Sequence, residues 1–452
     1  MNYSDSKIVL VDDDSNHLDL LSQCFFKNGI PCVPVLYDAF EEPPVIDNIR
    51  LLFSDINLTN SGSETNMLTV VIEYLNKILG YTKGPYVLIF WTNKTETITI
   101  IKKIVNERFR DMVAPFVVDC IDKDQIIGFT DQDSRLKNRL TEVLGCDSIQ
   151  FLFDFKHAVS YAGDDVINSL YTKIRKPGLS WGEAGDFEPD FRRTFSKIAG
   201  THFGLQHALK NPQKAIMDAL MPLVHHRMIN YSGQGCDYSR IMGDLKGISN
   251  IGKLDYPEHF NQSVLNATFH IDEVAQPVSI GEKEKRGCVI RYKNKKESRT
   301  RYCRNNLGIT YNDLFEACFP YKYKETDNKH KADLKKYNSE VRDKSDLVFI
   351  EISAACDYSQ DKKRVNPYVV GIKTPVSDLY ALKKSDSILP LPVFSYKGEK
   401  FRINVCCNYV VGLLPSSSVL GEVLFCLKDH LVSYIGNCYA NHISRIGISE
   451  FK

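Results

Sequence analysis

Apolar runs of four to six residues recur along the first third of the chain, and most stop on a polar residue. Ile8-Val9-Leu10-Val11 ends on Asp12-Asp13-Asp14, and Leu51-Leu52-Phe53-Ser54 ends on Asp55. Tyr86 to Trp91 stops at Thr92, and Phe116 to Ile121 stops at Asp122-Lys123. Cys32 to Leu36 is a shorter run of the same kind. Unbroken apolar runs of this length predict strands buried on both faces. Between them the period changes to that of a helix. Leu18, Leu21, Cys24 and Phe25 lead to Gly29, with Ser15 as expected N-cap. Met67 to Leu79, Thr95 to Phe109 and Ser134 to Leu144 are predicted helices, and Asp38 to Ile46 a weak one containing Pro43-Pro44. Strand and helix alternating five times predict an α/β fold, a doubly wound five-stranded parallel sheet over residues 1–146.

In such a sheet the carboxyl ends of the strands share one edge, where open α/β folds place their ligands. Asp12, Asp13, Asp55, Thr92 and Lys123 all fall there. Converging carboxylates at about 4 Å repel by about 4 kcal/mol at an effective dielectric near 20, so they need a proton or a cation. A hard ion that takes oxygen ligands, Mg²⁺, suits them, with Asp12, Asp13, Asp55 and the Asn57 backbone carbonyl as ligands. Asp55 is a carboxylate nucleophile, and Thr92 and Lys123 are donors for phosphoryl oxygens. The bland alternative is a solvated helix cap at Asp12–Asp14 and a turn residue at Asp55.

VDDD at 11–14, FSDINL around Asp55, IFWTN around Thr92 and IDKDQ around Lys123 make residues 1–146 resemble a response-regulator receiver domain of two-component signalling. The resemblance implies Mg²⁺-dependent transfer of a phosphoryl group from a sensor histidine kinase to Asp55. Leu58-Thr59 stands where the family usually has Met-Pro, and Asp124 where it has Pro. The Thr92-to-Lys123 interval is also longer than usual. These departures touch the surface that reports the pocket's state more than the pocket.

Residues 147–260 read as a helical connector. Stripes at Ile149–Ala162, Val166–Ile174, Phe191–Ala199 and Ala215–Ile229 predict helices, and 231–260 is a Gly/Ser/Asn-rich loop. His157 or His207 would suit a histidine phosphotransfer role; lone histidines on helices more often serve packing.

From 261 to 452 the texture predicts a basic, β-rich α+β domain with strands at Leu265–Ile271, Cys288–Tyr292, Asp346–Ser353, Tyr368–Ile372, Leu391–Ser395 and Arg402–Cys406. They suggest a curved sheet or partly closed barrel, followed by a helix over Val423–Ala440. Lys283–Arg304 holds ten Lys and Arg with Tyr292 and Tyr302 interleaved, a pattern for nucleic acid or for a charged hairpin edge. Ser353–Gln360 carries Cys356-Asp357, a candidate nucleophile pair that would need His430 or His442.

Composition narrows the classes. In 452 residues, 43% are hydrophobic and 25% charged, ordinary for a globular chain. Thirteen cysteines without a CxxC argue for thiols in a reducing cytoplasm rather than zinc or a disulfide framework. No membrane segment is expected. The net charge of +1 hides a division: residues 1–150 hold 14 Lys and Arg against 22 Asp and Glu, net −8. No DNA-binding spacing appears, which favours an interaction or phosphate-buffering role for the C-terminal region, competing with a second response regulator for a kinase. In layout the chain resembles the buffering receiver protein of Detocs-type phage-defence systems. The alternative is a phosphorylation-controlled effector that binds nucleic acid or uses Cys356 and Asp357.

Overall fold

The structure is a computed structural model. It describes residues 7–59, 63–80, 82, 84–93, 97–175, 178, 187–231, 237–247, 249–250, 260–272, 283–293, 296–319, 339–354, 365–376 and 385–444. Two compact units divide the chain: residues 1–192 with 220–255, and residues 193–219 with 256–452.

In the first unit, β1 (Lys7–Asp12), β2 (Val33–Leu36), β3 (Ile49–Ser54), β4 (Val87–Trp91) and β5 (Val117–Ile121) form an all-parallel sheet in the order β2-β1-β3-β4-β5. This is a receiver-like arrangement. The β1, β3 and β4 runs are almost wholly buried, as their unbroken apolar sequence requires. One face packs α2 (Glu64–Leu79) and α3 (Ile98–Arg108) through Leu68, Val71, Leu75, Ile101 and Ile104. The other packs α1 (Ser15–Lys27) and α4 (Gln132–Val143) through Leu18, Leu21, Phe25 and Leu136, with Phe25 edge-on to Phe53.

Two local expectations change. Asp14, not Ser15, caps α1, its carboxylate accepting from the Asn16 amide at 2.8 Å. A carboxylate at that position also meets the positive end of the helix. No helix forms over Asp38–Ile46. Pro43-Pro44 remove two donors, and Asn48 turns the chain at a φ of 58° into β3.

The connector is helical: α5 (Asp147–Ile174), α6 (Phe187–Phe203), α7 (Leu205–Lys210) and α8 (Pro212–Ile229). The described part of the expected loop after residue 230 holds a short helix, α9 (Tyr238–Ile241), followed by a 3-10 turn at Gly243–Leu245. Its Tyr238 hydroxyl donates to buried Asp154 of α5 at 2.6 Å.

The second unit is built on an antiparallel sheet. Its path is β10 (Ile388–Pro390), β12 (Glu399–Leu413), β9 (Asn366–Pro375), β8 (Asp346–Glu351), β7 (Cys288–Tyr292), β13 (Leu420–Leu427) and β6 (Ile271–Asp272), with β11 (Phe394–Tyr396) paired to β12. Helices α11 (Lys296–Leu307) and α12 (Tyr311–Cys318) join one core, which contains Tyr302, Tyr311, Leu314, Phe315 and Phe349. Helices α10 (Gln262–His270) and α13 (Asp429–Ile443) join the core of the other face, through Ala267, Leu431, Val432 and Ile435.

Of the expected strand Leu265–Ile271, residues Leu265–His270 are therefore helix, and only Ile271 lies in a strand, β6. The alternating Leu265, Ala267, Phe269 and Ile271 mislead, because Ser263, Ala267 and Ile271 are what is buried, at a spacing of four. Val423–Leu427 closes a strand, and the last helix starts only at Asp429. Phe425, Cys426 and Leu427 are all buried there, which a helix with one inward stripe cannot achieve. Of Leu391–Ser395 only Phe394 and Ser395 are strand, in β11; Leu391–Val393 form the gap after β10, where Pro392 cannot donate to a ladder. Lys283–Arg304 is one strand and most of a helix, not a hairpin.

Gly287 enters β7 with a φ of 85°, and a Cβ there would lie 2.5 Å from the Leu427 carbonyl oxygen. Gly287→Ala is expected to lower stability by more than about 1 kcal/mol, since it combines left-handed strain with a backbone clash. A denaturant midpoint equal to that of the wild type would contradict this packing.

Candidate functional site

The site is assembled from the carboxyl ends of β1, β3, β4 and β5. Asp12 is the last residue of β1, and its carbonyl accepts from the Tyr37 amide at 2.9 Å. Asp55 directly follows β3, and its amide donates to the Val11 carbonyl at 2.9 Å. The sheet ladder thus fixes the spacing of the two acids. Asp12 is 0% exposed and Asp55 4%.

Buried carboxylates need a counter-charge, and Lys123 supplies it. Asp122 caps a turn at Lys123–Gln125 by accepting from the Asp124 amide, which holds the lysine just beyond β5. The Lys123 Nζ donates to Asp55 Oδ2 at 2.8 Å and to Asp12 Oδ2 at 2.9 Å. It also lies 3.2 Å from His17 Nδ1. An ammonium has three donors, and two carboxylate oxygens and the His17 ring nitrogen surround this one.

Thr92 follows β4 between the two halves of the site. It is fully buried, and its amide donates to the Ile121 carbonyl at 3.1 Å. The Asn57 amide donates to Asp55 Oδ1 at 3.2 Å, an Asx turn that keeps the Asn57 backbone beside the Asp55 carboxylate.

Asp13 is exposed at the mouth. Oxygens of Asp12, Asp13 and Asp55 lie within 4.8 Å of one another. Partial desolvation, then the charge of Asp12 and, more weakly, that of Asp55, raise the pKa of Asp13. Three carboxylates against the one ammonium leave a net −2. Hard oxygen donors with that residual charge fit a divalent cation such as Mg²⁺.

The structure therefore brings together Asp12, Asp13, Asp55 and Lys123, and sets Thr92 and Asn57 at the same edge. It adds His17, which lies 3.6 Å from Asp12 and 3.8 Å from Asp14. Strand-end reasoning missed it because it sits one turn into α1. Its spacing of three from the capping Asp14 was the available signal.

Other candidates are placed elsewhere. Cys356 and Asp357 lie outside the described residues. His430 Nε2 lies 2.9 Å from His270 Nδ1, and His442 Nε2 lies 2.7 Å from Asn408 Oδ1. The His157 ring packs against Tyr161 and Tyr231; the His207 side chain lies outside the described residues.

In the basic stretch, five cations serve the fold itself. Lys283 donates to the Leu420 carbonyl, Lys285 pairs with Asp272, and Arg286 binds Ser353 and Asp429. Arg291 pairs with Glu422 and Asp346, and Arg299 binds the Ser345 carbonyl while stacking on Tyr311. These five are held by partners within the protein, whereas Lys293, Arg301 and Arg304 of the same stretch are exposed.

Among the described residues no helix is long and apolar enough to cross a membrane. No family model matches the chain, and no curated protein matches it. Among solved structures, NtrX from Brucella abortus in complex with ADP is similar at 18% identity, over 43% of this chain and 35% of that one, with a TM-score of 0.17. This chain thus spans about a third of that protein's length, and a likeness at that TM-score carries no weight for fold or function.

Proposed function

We propose that the first unit is a receiver that accepts a phosphoryl group on Asp55 from a sensor histidine kinase. The observation that carries this reading is the buried Asp55–Lys123–Asp12 constellation at one edge of an all-parallel sheet. Asp12, Asp13, Asp55 and the Asn57 carbonyl would hold Mg²⁺, which when bound offsets the charge of the incoming phosphoryl oxygens. Asp55 attacks phosphorus as the donor's phosphorus–nitrogen bond breaks, leaving an acyl phosphate on Asp55 and the electron pair on the donor's imidazole nitrogen. Lys123 and the Thr92 hydroxyl donate to the oxygens of the transferred group, and water later hydrolyses the acyl phosphate.

The second unit then acts as an interaction or phosphate-buffering module, in which the chain competes with a second response regulator for the kinase. The internal use of Lys283, Lys285, Arg286, Arg291 and Arg299 favours this over nucleic-acid binding. A defence role against phage follows only from the resemblance in layout.

Incubation with acetyl phosphate and Mg²⁺ is expected to add one phosphoryl group by intact mass. Chelating the divalent ion should abolish the gain. An unchanged mass with the ion present would overturn the proposal.

A further inference from the structure

Helix α5 carries an exposed apolar ridge that neither the site nor the sheet explains. Phe155 is 51% exposed, Val159 41%, Ile167 62% and Tyr171 44%. With Gly163 they are spaced by four and form one ridge of the helix. The buried residues Ala158, Ala162 and Val166 lie on another line. Asp165 pairs with Arg227 of α8, and His157 and Tyr161 meet Tyr231. Tyr161 is two residues from Gly163 and so about 160° round the helix from it. The middle of the ridge, from Val159 to Ile167, thus lies away from the face that α8 and Tyr231 cover.

Its sequence is a mirror about Gly163. Val159 matches Ile167, Phe155 matches Tyr171, and the half-buried Leu152 matches Ile174. A surface that is its own complement under reversal is what a two-fold interface requires. Gly163 marks the point of closest approach: nothing lies within 4 Å of the position a Cβ would take. Packing of ridges spaced by four is a common way for helices to cross.

We propose that a second copy of this chain docks on this ridge, with the two α5 helices antiparallel and crossing at Gly163. Val159 of each copy then faces Ile167 of the other, and Phe155 faces Tyr171. At about 200 Å² per large side chain, the exposed fractions leave roughly 400 Å² per copy. Leu152, Leu170 and Ile174 bring the pair toward about 1,000 Å² in total, the low end of specific interfaces, where reversible association is found. A patch of roughly 400 Å² per copy falls in the range of the largest patches on monomers, about 300–600 Å², which are often functional. The inference does not depend on the phosphoacceptor reading.

Sedimentation velocity on the full chain from about 1 to about 100 μM tests it. The expected result is a reversible monomer–dimer equilibrium. Gly163→Gln places a side chain in space that is open in the single copy, so the protomer should keep its melting temperature. The dimer should weaken by on the order of tenfold or more. Ile167→Glu, on an exposed position, should do the same. A chain that stays monomeric over the whole range overturns the proposal. So does a dimer indifferent to both substitutions, which would place the contact elsewhere or on another partner surface.

Discussion

Asp55→Ala takes up no phosphoryl group from acetyl phosphate and Mg²⁺ under conditions where the wild type is labelled. The neighbouring acids do not substitute for it. Asp12 is fully buried at the end of β1, and Lys123 stays paired with it when Asp55 is removed. Asp13 is open to solvent, but Lys123, which would meet the oxygens of a transferred group, donates to Asp12 and Asp55 rather than to Asp13. The loss of label is expected to be complete rather than graded. The variant should stay folded, because the substitution removes one of three crowded negative charges while Lys123 keeps Asp12. Intact mass reads the label and circular dichroism the fold. A label that persists in Asp55→Ala would move the acceptor to another residue.

The second large effect is on stability. Lys123→Met is expected to cost about 3–5 kcal/mol, because it strands two buried carboxylates without their counter-charge. Removing one partner of a buried pair is far more damaging than removing both, since the stranded charge retains its full desolvation penalty. Adding Asp55→Ala to Lys123→Met should therefore recover part of the loss. Mg²⁺ should also recover part of it, because an ion bound only by the folded state stabilises that state by mass action. Urea midpoints of the three proteins, with and without Mg²⁺, read these differences. A loss below about 1 kcal/mol for Lys123→Met would mean that the pocket is wetter than its 0–8% exposures imply.

The first sheet was legible because its central strands β1, β3 and β4 are buried on both faces, so local sequence declares them without help from partners. The pocket was legible for a related reason. In a parallel sheet every strand ends at the same edge, so polar residues that terminate apolar runs must meet. His17 escaped that logic because it reaches the pocket from a helix. The second sheet was harder. Its order, β10-β12-β9-β8-β7-β13-β6, pairs strands far apart in the chain, and nothing local encodes which strand lies beside which. The α10 error has another cause: Ser263 and Ala267 carry the burial, and small residues leave no hydrophobic signature. At Val423–Leu427 a fully buried strand and a buried helix look alike until pairing partners are known.

The outermost strand of the first sheet has a consequence for self-association through backbone pairing. An edge strand offers unpaired amides that can template a foreign strand. In β2, Val33 and Val35 lie opposite Val9 and Val11, and the Tyr37 amide is spent on Asp12. In a parallel ladder alternate residues turn both backbone groups to the same side, so the outward positions are Pro34 and Leu36. Proline has no amide hydrogen, which leaves Leu36 as the lone outward donor of a four-residue strand. An added strand would gain almost no ladder there, although Val33 and Leu36 leave apolar surface exposed beside it. An edge with exposed apolar side chains is thus nonetheless poorly able to seed fibril-like stacking.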